Sequence, residues 1–237
     1  MKEEELTIKR RQLLKLGTAS AFGLILTAGD LFWQVEQARG DELTSPSLTP
    51  EAALQELLAG NQRFVAHKAQ HPHQSEKRLQ DLAQAQHPFV TVLSCADSRV
   101  TAEIIFDQGL GDIFDVRIAG NLATQGAVAS IEYAVVELKT PILMVLGHER
   151  CGAVTAAVKK ADLPGEMSLF VKEIAPAVDK TKNMAGDAVE NAVVANVKEQ
   201  MQKLKRSPLL AERLASGTLK IVGGRYDLDT GKVTAIA

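Results

Sequence analysis

The stretch FVTVLSCADSRV, Phe89 to Val100, decides the fold together with a second of the same design, PILMVLGHERCGAV, Pro141 to Val154. Each begins behind or at a proline (Pro88, Pro141) with a short apolar run, the pattern of a strand buried on both faces, and then breaks into a polar loop. Between them, IFDVRI (Ile113 to Ile118) reads as a third strand, and Ala127 to Leu138, rich in Ala, Val and Ile, reads as a helix. Upstream, Thr49-Pro50-Glu51 is a helix start, the threonine capping and the proline at the first helical position. Ala53, Leu54, Leu57, Leu58 and Phe64 recur behind it at helical spacing, which predicts a helix from Pro50 to about Lys68. After Gly152 the pattern predicts helices over Ala153–Lys160, Ser168–Lys182 and Ala188–Lys205. A last strand, Leu219 to Gly223, precedes a polar turn from Asp227 to Gly231. Strands separated by helices imply an α/β fold with a mainly parallel β-sheet flanked by α-helices, because parallel neighbours need crossover connections.

Composition limits what such a domain does. At 46% hydrophobic and 24% charged, the 237 residues carry enough apolar material for a core, which excludes a disordered chain. A formal net charge of −2 leaves no basic footprint for nucleic acid. The first forty residues read as an address. A charged opening that contains Arg10-Arg11-Gln12-Leu13-Leu14-Lys15 leads into the apolar run Leu16 to Ala28. That run has thirteen residues, short of the roughly 20 that a membrane-spanning helix needs. It has the shape of an export signal, and the paired arginines resemble a bacterial twin-arginine signal. Ala38-Arg39-Gly40 and Thr27-Ala28-Gly29 both offer small-x-small cleavage patterns. The expected organisation is a signal over residues 1–40, a polar linker over 41–50 and one domain over 51–237. The expected location is the periplasm or another extracytoplasmic space, with a membrane tether if the signal stays attached.

The chemistry lies where the strands stop. In an open α/β sheet, ligands bind outside the carboxyl ends of the strands near a topological switch point, so the two polar loops point to one crevice. Both cysteines of the chain, Cys95 and Cys151, lie in those loops, and His148 stands three residues before Cys151. Two thiolates and an imidazole select zinc over hard cations, and three protein ligands leave a fourth tetrahedral position open. The competing reading, one disulfide between Cys95 and Cys151, leaves Asp97, Arg99 and His148 unexplained. Asp97 and Arg99 are two residues apart and suit a carboxylate–guanidinium pair. Held by Arg99, Asp97 stays ionised and accepts a hydrogen bond from a nucleophile at the open corner; released, it ligates zinc itself and closes the site. His67, His71 and His73 read as a solvated loop, and Gly109 and Gly111 as turn glycines.

Cys95-Ala96-Asp97-Ser98-Arg99-Val100 with Gly147-His148-x-x-Cys151-Gly152-Ala153-Val154 resembles the β-class carbonic anhydrases, whose pattern is C-x-D-S-R followed by H-x-x-C. Phe106 to Phe114, Val116 to Asn121 and Gly223 to Asp227 agree as well, and the similarity extends from Leu54 to Ile221. The resemblance implies zinc, one ion per chain, on Cys95, His148 and Cys151, with Asp97 and Arg99 as catalytic dyad. It also implies reversible hydration of CO2 to bicarbonate and a proton by attack of zinc hydroxide. A homodimer or higher even homo-oligomer follows from the same resemblance, with the first helix packed on its partner. Many plant-type members place a substrate-binding Gln where alignment on Gly111 puts Gly109, with Gln108 one residue earlier; backbone amides near Gly109 or Gly152 are then the expected replacements. Two other functions fit the same residues: a zinc hydrolase of carbonyl sulfide or carbon disulfide, and a zinc scaffold closed permanently by Asp97.

Overall fold

The computed structural model describes residues 48–236. The expected export signal, and the linker as far as residue 47, lie outside the described residues. Five strands form one sheet in the order β2-β1-β3-β4-β5: β1 (Val90–Ser94), β2 (Ile113–Arg117), β3 (Ile142–His148), β4 (Lys220–Tyr226) and β5 (Val233–Ile236). The first four are parallel, and β5 runs antiparallel to β4. The chain places β2 on one side of β1 and β3 on the other. The switch point therefore falls between the adjacent carboxyl ends of β1 and β3, where Ser94 pairs with Leu146.

Alternation along the strands builds two cores. Val90, Val92, Ile142, Met144 and Leu146 face one way and pack with Ala53 and Leu57 of α1 (Pro50–Val65) and with Ala102 and Ile105 of α3 (Ala102–Ile105). Leu93, Leu143, Val145 and Ile221 face the other way. They meet Ala127, Ile131 and Val135 of α4 (Gln125–Val136), Val197 and Leu204 of α7 (Ala188–Lys205) and Leu210 of α8 (Pro208–Ala215). Each fully buried leucine or isoleucine contributes about 1.5–3 kcal/mol, so the sheet is held from both faces. Beyond α5 (Gly152–Val158), α6 (Ser168–Thr181) packs beside α7. Among the described residues, no helix is long and apolar enough to cross a membrane.

Thr49 caps α1 as expected, its hydroxyl accepting from the Ala52 amide at 3.2 Å. The helix ends at Val65 rather than Lys68, followed by a turn that places His67 at φ 53°. Asn61, buried in α1, donates to the carbonyls of Ile105 and Gly231 and accepts from the Val233 amide, which ties α1 to α3 and to β5. Several elements depart from the sequence reading, which leaves out β5 and the short α3 altogether. The helix α2 (Glu76–Leu82), capped by Ser75, buries no residue and so carries no apolar period. The Ser207-Pro208 start of α8 is a cap-and-proline signal that apolar spacing alone passes over. The last strand does not stop at Gly223 but runs to Tyr226 and pairs with β5. A Cβ on Gly223 would sit 2.9 Å from both Val197 Cγ1 and Met201 Sδ, so this glycine marks close approach of α7 rather than a strand end.

The tightest seam lies under α1, where a Cβ on Gly60 would fall 1.7 Å from the Phe106 carbonyl oxygen. Gly60→Ala is expected to lower the unfolding free energy by about 3 kcal/mol, read by urea denaturation, because backbone cannot yield as a side chain can. A loss under about 0.5 kcal/mol, the range of ordinary surface substitutions, would contradict this packing.

Candidate metal centre

β1 ends at Ser94, so Cys95 is the first residue beyond it, while β3 carries His148 as its last residue and Cys151 caps the start of α5. Parallel pairing of β1 with β3 thus brings the three together. Their sulfur and nitrogen atoms all lie within 4.8 Å of one another, and all three residues are buried, His148 completely. The cysteines are free thiols, so the disulfide alternative is not what the structure contains.

The histidine is set for a cation. Its Nδ1 lies 2.9 Å from the Glu149 carbonyl oxygen, which only accepts, so Nδ1 carries the proton. The neutral ring then presents a lone pair at Nε2, and that atom is buried without a hydrogen-bond partner. Asn121 Nδ2 is the other buried side-chain atom left unpartnered among the described residues. An orphaned nitrogen beside two thiols is a donor set that a soft, four-coordinate ion satisfies, and zinc fits it.

The two sulfurs are inequivalent. The Cys151 thiol beside it, the largest influence, lowers the Cys95 pKa against the opposing effect of burial, and the Gly120 amide acts in the same direction as the thiol. The Cys95 sulfur accepts from that amide at 3.3 Å. Cys151 is pushed up, first by the Cys95 sulfur beside it and then by burial, while the amides of Val154 and Ala153 oppose the rise. The two shifts run in opposite directions, so the cysteine pair takes a first negative charge more readily than a second.

Asp97 and Arg99 pair as expected. Arg99 Nε and Nη2 reach the two carboxylate oxygens at 2.9 and 2.7 Å, and the Arg99 backbone amide adds a third bond at 3.0 Å. Arg99, foremost through its side chain, holds the Asp97 carboxyl well below the usual carboxylate range. Asp97 Oδ2 stays 3.9 Å from His148 Nε2, so the carboxylate flanks the ligand cluster while engaged by the guanidinium. Arg117, in β2, has no role in the sequence reading. Its Nη2 donates to the Asp97 carbonyl at 2.6 Å and its Nε to the Cys95 carbonyl at 3.2 Å, which fixes the loop that carries both residues. Its only signal was its place in the Val116–Asn121 stretch. Gly120, in the turn Ala119–Asn121, likewise has no role in the sequence reading.

Other expectations fare differently. The Gly109 amide donates to Asp112 Oδ2 at 2.8 Å, so it is committed to its own turn and does not replace a substrate-binding glutamine. Gln108 is buried and donates to the Phe106 carbonyl. Gly111 is a turn glycine at φ 78°. His67, His71 and His73 lie in an exposed loop, with His73 Nδ1 2.6 Å from Asp112. Carboxylates of Glu149, Asp227 and Asp229 also converge. Arg150 and Arg225 stand among them, at 2.7 Å from Asp229 and Asp227, and supply the positive charge there.

The match to known proteins follows these residues. A family model described as carbonic anhydrase matches residues 90–233. "Carbonic anhydrase 2" of Mycobacterium tuberculosis is 44% identical over 192 residues, covering 79% of this chain and 93% of that protein. The carbonic anhydrase of Mycolicibacterium smegmatis is 43% identical over 193 residues, with 79% and 94% covered. Among solved structures, the beta-carbonic anhydrase CcaA superposes with TM-score 0.62 at 30% identity, covering 77% of this chain and 86% of that one. CafA of Aspergillus fumigatus superposes with TM-score 0.63 at 28% identity, covering 77% and 89%.

In metal-stripped protein, the ultraviolet thiolate band is expected to amount to one thiolate per chain at pH values well below the ordinary thiol pKa of about 8.5. Cys151→Ala removes the largest cause of the lowered Cys95 value, so the midpoint of that band is expected to move to higher pH. Two thiols titrating together near the ordinary value would contradict the inequivalence of the two sulfurs.

Proposed function

We propose, because this chain belongs to the β-class carbonic anhydrases and catalyses the reversible hydration of CO2 to bicarbonate, that Cys95, His148 and Cys151 hold one zinc ion per chain and that Asp97, fixed by Arg99, orients the attacking water. One observation carries the reading: three buried soft donors converge within 4.8 Å, one of them an orphaned imidazole nitrogen. Bound there, zinc supplies the Lewis acidity that makes a water nucleophilic near neutral pH.

The chain's own residues do the rest. Asp97 is ionised at every working pH, so it accepts an O–H from the water and turns the water's lone pair toward the substrate carbon. Arg99 occupies both oxygens of that carboxylate and opposes its swing onto the ligand cluster. Arg117 holds the Cys95–Asp97 backbone, which keeps the carboxylate in register with the sulfur. The apolar substrate meets an apolar wall, since Leu122 and Val154 belong to the same buried cluster as the two cysteines. A three-atom substrate needs no large cavity. Neither of two surface clefts elsewhere is lined by the ligands; one lies between α6 and α7, the other against Arg225.

The same reading extends to assembly and location. The protein works as a homodimer or a larger even homo-oligomer, with β2 as the natural seam. That edge strand has a neighbour on one side only, and Ile104, Leu110 and Tyr133 remain exposed around it. Tyr133 packs its ring 6.3 Å from Phe114 of β2, so an aromatic pair lies at that edge. Export by the twin-arginine route places the enzyme outside the cytoplasm; Arg10, Arg11 and the apolar run behind them support it.

Stopped-flow CO2 hydration by the zinc-loaded protein tests the mechanism. Asp97→Ala is expected to lower kcat/KM by about 10²-fold or more, the usual size of a lost proton-handling group. In Arg99→Ala the Asp97 pKa rises as its main stabilising partner is lost but the carboxylate stays charged near neutral pH, so the loss is expected to be uniform from about pH 6 to 9. A wild-type level in Asp97→Ala, or turnover of carbonyl sulfide without CO2 hydration, would defeat the reading. Sedimentation equilibrium is expected to give an even oligomer, and a monomer would remove the β2 seam. In fractionated cells, Arg10→Lys with Arg11→Lys is expected to keep the protein inside, and undiminished export would defeat the signal assignment.

A further inference from the structure

We propose that Asn196 and Gln200 are positioning residues for the metal, holding the turn Ala119–Asn121 so that the Gly120 amide stays on the Cys95 sulfur. The proposal rests on the reading of Cys95 as a metal ligand. Both amides lie on α7, about a hundred residues beyond that cysteine, and their hydrogen bonds go to Gly120, Ala123 and each other rather than to the ligands.

The connection is a closed run of hydrogen bonds. Gly120 N–H donates to Cys95 Sγ at 3.3 Å, and the Gly120 carbonyl accepts from Asn196 Nδ2 at 2.8 Å. Asn196 Oδ1 accepts from Gln200 Nε2 at 3.1 Å, and Gln200 Oε1 accepts from the Ala123 amide at 2.9 Å. Both side chains are buried, at 0% and 1% exposure, so no water stands in for a lost partner. The turn is thereby tied to one helix at two points, Gly120 and Ala123. Gly120 sits at φ 70°, a left-handed conformation, and a Cβ there would come within 3.0 Å of Ile174 Cδ1 and 3.2 Å of Ala153 Cβ.

Helix α7 reaches this turn because the sheet beneath it is bare. A Cβ on Gly147 would lie 2.6 Å from Val197 Cγ2, and one on Gly223 2.9 Å from Val197 Cγ1. Val197 therefore rests on two glycines, while its neighbour Asn196 and the residue one turn later, Gln200, face the end of the sheet where the ligands are. A polar i, i+4 pair buried on an otherwise apolar helix face carries a desolvation cost unless every atom is bonded, and here the partners are the backbone of the ligand turn.

The chemical consequence follows from charge. Two thiolates offset the charge of a zinc ion and blunt its acidity. An N–H aimed at one thiolate draws electron density from that sulfur and leaves the ion more electrophilic. Removing the tie lets the Gly120 amide move off Cys95, so the sulfur donates more strongly.

The test uses the full-length protein loaded with cobalt, whose sulfur-to-metal charge-transfer band reports thiolate donation directly. Asn196→Leu, close in shape and unable to donate, is expected to move that band to longer wavelength and to lower CO2 hydration about 10- to 100-fold. An unmoved band in the folded variant would overturn the proposal, whatever happens to activity, because a purely structural role leaves the sulfur as it was. A second measurement needs no variant. In cadmium-loaded wild-type protein the Gly120 amide proton is expected to show scalar coupling to the metal nucleus through sulfur, and its absence would equally overturn the proposal. Wild-type protein that takes up neither metal would instead bring down the reading of Cys95 as a ligand, and this inference with it.

Discussion

The parallel pairing of β1 with β3 is the interaction on which the rest of the site depends. Their register sets Ser94 opposite Leu146, so the next residues along the two strands are Cys95 and Gly147, with His148 one step further. Neither strand alone carries a complete donor set. The side of β1 away from β3 is taken by β2, and this reversal of strand order opens the crevice into which both loops turn. A slip of one residue in that pairing would invert the faces of Val90 and Val92, and both cores oppose it.

Charge governs what the crevice can hold. Two sulfurs and an imidazole nitrogen, buried together, either share protons or bind a cation, and the tautomer imposed by the Glu149 carbonyl favours the cation. Around that centre the protein places donors on the anions it must keep. Arg99 lies on Asp97, the Gly120 amide on Cys95, and the first amides of α5 near Cys151. Arg117 binds the backbone between the first two. The anionic side chains of the cluster are thus surrounded by N–H groups carried by β2, the 119–121 turn and α5.

Much of this was legible in sequence, for identifiable reasons. Buried strands announce themselves as β-branched runs, and His148 with Cys151 stand at a spacing that geometry allows on one strand-to-helix turn. Asp97 and Arg99 lie close enough in sequence that their pairing needs no knowledge of the fold. The illegible parts are those where a residue acts through backbone or across long separations. Gly120 contributes an N–H that any residue owns, and Asn196 and Gln200 are ordinary polar residues until α7 is seated on Gly147 and Gly223. The far end of β4 was hidden because Gly223 reads as a terminus, whereas it is the place where α7 comes close. The helix α2 was hidden because it buries nothing.

The central claim is that one zinc ion is held by two sulfurs and one imidazole. X-ray absorption at the zinc edge of the purified protein reads that donor set directly. The account predicts two sulfur scatterers at about 2.3 Å with nitrogen or oxygen at about 2.0 Å completing four-coordination. A zinc shell without sulfur, or active protein whose cysteines are joined to each other, would contradict it.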